Sequence, residues 1–200
     1  MRAIIILAGG QSSRFGQDKA LVDFAGKPLV THLVEKLHNL GDECIVSIGK
    51  HRAANDFRAV LPDYVSVIQD KYEFRGPLAG FMTALDECKS DFCFLGACDM
   101  PFIEARIVEY LFEKSLGCSG AVPRWQDGRL EPLHAVYDCI AAKNASQQVM
   151  DEPSMISLVD HIPRIRFVTV ERDIVPLDPT LNTFRNLNTR RDLDEIQRAS

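Results

Sequence analysis

The sequence predicts an α/β protein: a three-layer α/β/α domain around a mostly parallel, mixed sheet. Three observations carry that prediction. Short runs of β-branched and apolar residues alternate with longer stretches of helical period. The first run, Ala3 to Ala8, passes directly into Gly9 and Gly10. Two later runs end on single carboxylates, Asp70 and Asp99.

Each element follows from local pattern. Ala3 to Ala8 is too short and too β-branched for a helix and reads as a buried strand. Leu29, Val30, Leu33, Val34, Leu37 and Leu40 form a helix-spaced stripe over 28–40, opened by Pro28, a residue favoured in the first turn. Cys44 to Ile48 and Val65 to Ile68 read as the second and third strands. Leu78, Phe81, Met82 and Leu85 make Pro77 to Cys88 a helix, and Phe92 to Ala97 is the fourth strand. Ile103, Ile107, Val108 and Leu111 mark another helix before a strand at Ser119 to Pro123. The rhythm then changes. Asp127-Gly128 is a turn signal leading into Leu133 to Tyr137, which predicts a hairpin-like excursion. Residues 138–162 are helical in pattern with a break at Pro153, and Ile165 to Val170 is a late strand. Leu181 to Asn188 crosses back, and Thr189 to Ser200 has the pattern of a terminal helix with Leu193 and Ile196 inward.

Length and composition bound the rest. Two hundred residues suit one domain, and 46% apolar with 26% charged residues is a globular balance. Such a chain buries roughly 70% of its unfolded surface and needs no disulfide or metal staple. Lys plus Arg number 23 against 28 Asp plus Glu, and the net charge of −5 argues against a nucleic-acid partner, which calls for a basic face. The apolar run after Met1-Arg2 is too short for a secretion signal, and no stretch approaches the roughly 18 residues of a membrane helix, so no membrane partner is expected. Cys44, Cys88, Cys93, Cys98, Cys118 and Cys139 form no C-x-x-C pair and read as buried thiols of a cytoplasmic protein.

Chemistry concentrates where the strands end. Gly9 and Gly10 allow backbone N–H groups to approach a phosphate, and Arg14 and Lys19 add two positive charges to the same loop. The spacing is not that of a Walker A loop, since Gly-Lys occurs only at 26–27 and 49–50, before Pro28 and His51. The dinucleotide pattern G-x-G-x-x-G is also absent, because Gln11 follows Gly10. Asp99, just before Met100-Pro101, is a natural hard-oxygen ligand for Mg²⁺, and Asp70 is a candidate nucleotide contact. The competing reading of each carboxylate is a helix cap. Gly76-Pro77-Leu78-Ala79-Gly80 opens a helix whose first N–H groups could meet an anion. No His, Cys and Asp spacing resembles a zinc site, and no G-x-S-x-G elbow supports a serine nucleophile.

These residues also carry a resemblance. Leu7-Ala8-Gly9-Gly10 with Arg14, Gly16 and Lys19, then Gly26-Lys27-Pro28-Leu29, resembles the opening of nucleotidyltransferases with the sugar-phosphate nucleotidyltransferase type of fold. Within them, the chain is most similar to the molybdenum cofactor guanylyltransferase family. The likeness continues through Gly76 to Gly80, Cys98-Asp99-Met100-Pro101, Glu131-Pro132-Leu133-His134-Ala135 and Asn186-Leu187-Asn188-Thr189.

The resemblance implies transfer of GMP from GTP to the terminal phosphate of molybdenum-bearing molybdopterin, with release of pyrophosphate. It implies nucleotide contacts at Leu7, Ala8, Gly9, Gly10, Lys19, Ser47, Asp70 and Asp99, with Asp99 holding Mg²⁺ and Arg14, Lys19 and Asp99 as the catalytic set. Ser47 stands where the family often has Asn. Asn186 and Asn188 would complete the site from the acceptor side. A Rossmann-like nucleotide-binding half, about 1–123, would be followed by a smaller acceptor-binding lobe, about 124–200, whose residues 124–165 face the pterin. Transient contact with proteins of the molybdenum cofactor pathway is implied as well. A cytidylyltransferase on the same cofactor is the nearest alternative, and its first loop tends to read T-A-A-G where this chain has Leu-Ala-Gly-Gly. Nucleotidyl transfer to another phosphate monoester and a non-enzymatic nucleotide or cofactor carrier are the others.

Overall fold

Alternation along the first strand sets the layers. In β1 (Arg2–Leu7), Ile4 and Ile6 enter one apolar cluster and Ala3 and Ile5 another, all four fully shielded from solvent. A strand buried on both faces belongs in the middle of a parallel sheet covered by helices on each side. The computed structural model describes residues 1–9, 18–74, 76–189 and 191–193 and has that architecture.

After β1 comes a small antiparallel ribbon, β2 (Asp23–Phe24) with β3 (Lys27–Pro28). Then follow α1 (Leu29–Leu37), β4 (Glu43–Ile48), α2 (Ala54–Arg58), β5 (Val65–Gln69), α3 (Pro77–Glu87) and β6 (Phe92–Ala97). The chain continues through α4 (Ala105–Ser115), β7 (Gly120–Arg124), β8 (His134–Asp138), α5 (Cys139–Gln148), α6 (Met155–His161) and β9 (Arg166–Thr169). Seven strands form one sheet in the order β5-β4-β1-β6-β8-β7-β9. All its pairings are parallel except those of β8, which runs against both β6 and β7. The sheet is therefore mostly parallel and mixed, as the sequence predicts.

One face of the sheet packs Ile4, Ile6, Val46 and Phe94 against Leu33 of α1 and Leu111 of α4. The other packs Ile5, Ile45 and Leu95 against Phe81 of α3, Ala142 of α5 and Leu158 of α6. Each such fully buried Ile, Leu or Phe contributes about 1.5–3 kcal/mol relative to exposure. Pro28 precedes α1 rather than opening it, and Pro77 is the first residue of α3. The break at Pro153 separates α5 from α6, where Ser154 caps the new helix by accepting from the Ser157 N–H at 3.0 Å. The sequence pattern gave no sign of the β2–β3 ribbon, the short α2, or the single π turn at Val170–Ile174. Leu193 is buried, whereas Ile196 and the rest of the expected terminal helix beyond 193 lie outside the described residues. All six cysteines are free thiols, four of them buried. Among the described residues, no helix is long and apolar enough to cross a membrane.

Candidate active site

Because β1, β4, β5 and β6 run the same way, their carboxyl ends open on one edge of the sheet, where ligands bind in open α/β folds. Backbone hydrogen bonds continue past the strands there. The Ala8 N–H donates to Ser47 O at 2.7 Å, the Cys98 N–H to Leu7 O at 2.9 Å, and the Asp70 N–H to Ile48 O at 2.9 Å.

The first group centres on Asp70. The buried Ser47 hydroxyl donates to Asp70 Oδ1 at 2.6 Å. A Cβ on Gly9 would stand 3.2 Å from Asp70 Oδ2, and one on Gly80 would stand 3.2 Å from both Asp70 Oδ1 and Ser47 Oγ. The absence of side chains at these glycines lets the loop after β1 and helix α3 close on the carboxylate from two sides. Burial pushes the Asp70 carboxyl above its ordinary value, and the Ser47 hydrogen bond works against that rise. The structure thus brings Leu7, Ala8, Gly9, Ser47 and Asp70 together.

The second group centres on Asp99. Lys19 Nζ lies 3.2 Å from Asp99 Oδ2, bridging the loop after β1 and the end of β6. Asp18 caps the turn that carries Lys19 by accepting from the Ala20 N–H at 3.1 Å, and it pairs with Arg52 from the loop after β4. Arg52 is held in turn by its N–H, which donates to Gly49 O at 2.9 Å, and by Gln69 Nε2, which donates to its carbonyl at 2.6 Å. Neither Asp70 nor Asp99 caps a helix, since Gly76 precedes α3 and Glu104 precedes α4. Gly10 and Arg14 lie outside the described residues.

A cleft of about 220 Å³ opens beside Asp99. Its polar wall groups include Glu131 and Asn186, and Met100, Leu133 and Met155 supply apolar wall. Asn186 arrives on the returning segment, which docks where the Leu187 N–H donates to Asp99 O at 2.8 Å. Asn188 is exposed and off the cleft wall, its N–H donating to Asp192 Oδ2 at 2.7 Å. Sequence reasoning did not assign roles to Glu131, Gly80 or Arg52. Glu131 and Gly80 stood inside motifs already noted, whereas Arg52, beside Lys50 and His51, looks like part of a solvated basic run.

Residues 4–161 match the MobA-like NTP transferase domain. The chain belongs to that family. It is a nucleotidyltransferase by that membership. This MobA-like chain is 36% identical over 98% of its length, and 89% of the relative's, to a Methanosarcina acetivorans protein named "Probable molybdenum cofactor guanylyltransferase". A Natronomonas pharaonis protein of the same name is 34% identical over 98% of this chain and 96% of its own. Among solved structures, molybdopterin-guanine dinucleotide biosynthesis protein A from Archaeoglobus fulgidus superposes with a TM-score of 0.81, at 24% identity, over 99% of this chain and 100% of that one. The 2-C-methyl-D-erythritol 4-phosphate cytidylyltransferase of Thermus thermophilus gives 0.70 at 14% identity, over 98% and 97%. At those identities the two structures speak for the fold.

Proposed function

We propose that this nucleotidyltransferase moves GMP from GTP to the terminal phosphate of molybdenum-bearing molybdopterin, forming the guanine dinucleotide and pyrophosphate. The observation that most supports this reading is the near-full-length similarity to relatives carrying that name. The Ser47–Asp70 group and the Lys19–Asp99 pair at one sheet edge are consistent with it.

In this reading the loop Leu7 to Gly10, Ser47 and Asp70 hold the nucleoside, and Lys19, Asp99 and Arg14 attend the phosphates. A phosphate monoester has a second pKa near 6, so the acceptor is largely a dianion around pH 7 and needs no strong general base. Its oxygen forms a bond to the α-phosphorus of GTP while the bond to the bridging oxygen breaks and pyrophosphate leaves. Lys19 offers a positive charge to the α-phosphate and the leaving group as negative charge builds there. The donor set at Asp99 fits Mg²⁺, which is commonly bound by one or two carboxylates plus substrate phosphates and not by an all-protein cage. Among the described residues no group of three His, Cys, Asp or Glu forms such a cage. Asp99 would hold the ion, which when bound supplies charge neutralisation at the phosphates. Asn186 faces the acceptor from the cleft wall and Asn188 meets it only outside that wall, with residues 1–123 serving the nucleotide and 124–200 the acceptor. A cytoplasmic enzyme with small-molecule substrates, without nucleic-acid or membrane partners and in transient contact with pathway proteins, completes the proposal.

The test is incubation of the pure protein with Mg²⁺, molybdenum-bearing molybdopterin and either GTP or CTP, reading pyrophosphate and product mass. Pyrophosphate with GTP alone, alongside the guanine dinucleotide, is the expected result. Release with CTP alone would overturn the guanylyl assignment, and release with neither would overturn the acceptor.

A further inference from the structure

We infer that Glu131 selects the acceptor, its carboxylate accepting the ring N–H and 2-amino donors of a pterin seated in the cleft beside Asp99. This rests on the acceptor proposed above. The cleft has the two features a flat heterocycle needs. Met100, Leu133 and Met155 offer apolar contact to the ring faces, and a few polar groups remain to read its edge. Asp99 is engaged by Lys19, which leaves Glu131 as the carboxylate on the wall without a cationic partner among the described residues.

Glu131 is held firmly. The Trp125 indole Nε1–H donates to its Oε1 at 2.7 Å. Its own N–H donates to Pro123 O at 3.0 Å, and its carbonyl accepts from the His134 N–H at 3.1 Å. The indole is itself packed, with the Arg129 guanidinium 4.6 Å over the ring and the Phe184 ring centroid 5.6 Å away at a 57° tilt. Oε2 takes no hydrogen bond among the described residues, and Oε1 keeps a second lone pair. Two adjacent oxygens fixed in this way match two adjacent donors on a pyrimidinone edge, the same fork geometry by which carboxylates take Arg. A carboxylate in a cleft that must admit a phosphate ester opposes binding unless the ligand brings N–H donors to it. A pterin brings them.

Trp125 is the single tryptophan of the chain, so its fluorescence reports on this residue directly. The probes are pterin and lumazine, which carries a carbonyl in place of the 2-amino group, titrated without GTP or Mg²⁺. The wild type is expected to bind pterin at least tenfold more tightly than lumazine. Glu131→Gln retains an oxygen for the indole, so its emission maximum should stay in place while pterin affinity falls at least tenfold and the preference disappears. In turnover, the acceptor KM should rise and the KM for GTP stay fixed. Equal pterin affinity in the variant and the wild type, or a defect that appears only as a higher Mg²⁺ requirement, would overturn the role of Glu131. A wild-type protein that binds both rings with equal affinity overturns it without any variant. Failure of the acceptor reading is distinguishable, because the wild type would then ignore both rings and yield no pyrophosphate with molybdopterin.

Discussion

Lys19 and Asp99 stand eighty residues apart in sequence and 3.2 Å apart in space, with side chains 18% and 34% exposed. That partial shielding makes each charge matter more to a phosphate than it would in open water. Asp99→Ala should abolish turnover, and Lys19→Ala should lower kcat about 10²–10³-fold, in line with removal of one preorganised charge-stabilising group. Neither change empties the core, so thermal melts beside the pyrophosphate assay should show folded protein. A folded Asp99→Ala enzyme with wild-type turnover would remove Asp99 from the metal role. Both residues were legible as polar groups following strands. Their pairing was not, because spacing along a chain does not say which loops face each other.

Helix α3 contributes to the site through what it lacks. Gly80 sits where any Cβ would come within 3.2 Å of Asp70 Oδ1, Leu7 Cδ2 and Ser47 Oγ. Gly80→Ala gains helix propensity, worth about 1 kcal/mol, but crowds the Asp70 carboxylate. The expected outcome is a KM for GTP several-fold higher with stability changed by no more than about 1 kcal/mol, read by steady-state kinetics and urea unfolding. An unaltered KM would show that Asp70 need not hold its present position. The turn bearing Lys19 shows the same dependence on neighbouring elements. Asp18 caps it locally, as the sequence allows, yet Arg52 and Gln69 from two other strand ends secure it. The strands were readable from short β-branched runs such as Ala3 to Ala8, and the helices from the 3.6-residue period of stripes such as Leu29, Val30, Leu33, Val34 and Leu37. The β2–β3 ribbon and α2 were missed because so few residues carry no period.

At the scale of the molecule, His134 couples fold to pH. It is fully buried at the start of β8, between the rings of Phe94 and Phe184, with Nε2 3.3 Å from Thr183 Oγ1 and Nδ1 unpartnered among the described residues. Burial lowers its pKa from 6.5 to about 3, with Asp178 opposing the shift. The unfolded chain therefore takes up a proton that the folded chain refuses. The stabilisation is complete above pH 6.5 and is lost as pH falls toward about 3. At pH 5 this one residue should cost about 2 kcal/mol relative to neutral pH. Urea unfolding of the wild type and His134→Phe at pH 7 and 5 checks this, since the variant should have the shallower pH slope whatever its absolute stability. Equal slopes would place the charge penalty elsewhere. The sequence by itself determined the alternation of strands and helices, the loop after β1 and the two carboxylates, because hydrophobic period and strand-end position are local properties. The hairpin signal at Asp127-Gly128 already sets β8 against β7, but only the tertiary structure decided that β8 inserts beside β6 and runs against it as well. That reversal brings the amino end of β8, and with it Glu131, to the edge where β1 and β6 terminate. Strand order depends on which partners complete the hydrogen-bond ladder and the core, and no stretch of sequence encodes that alone.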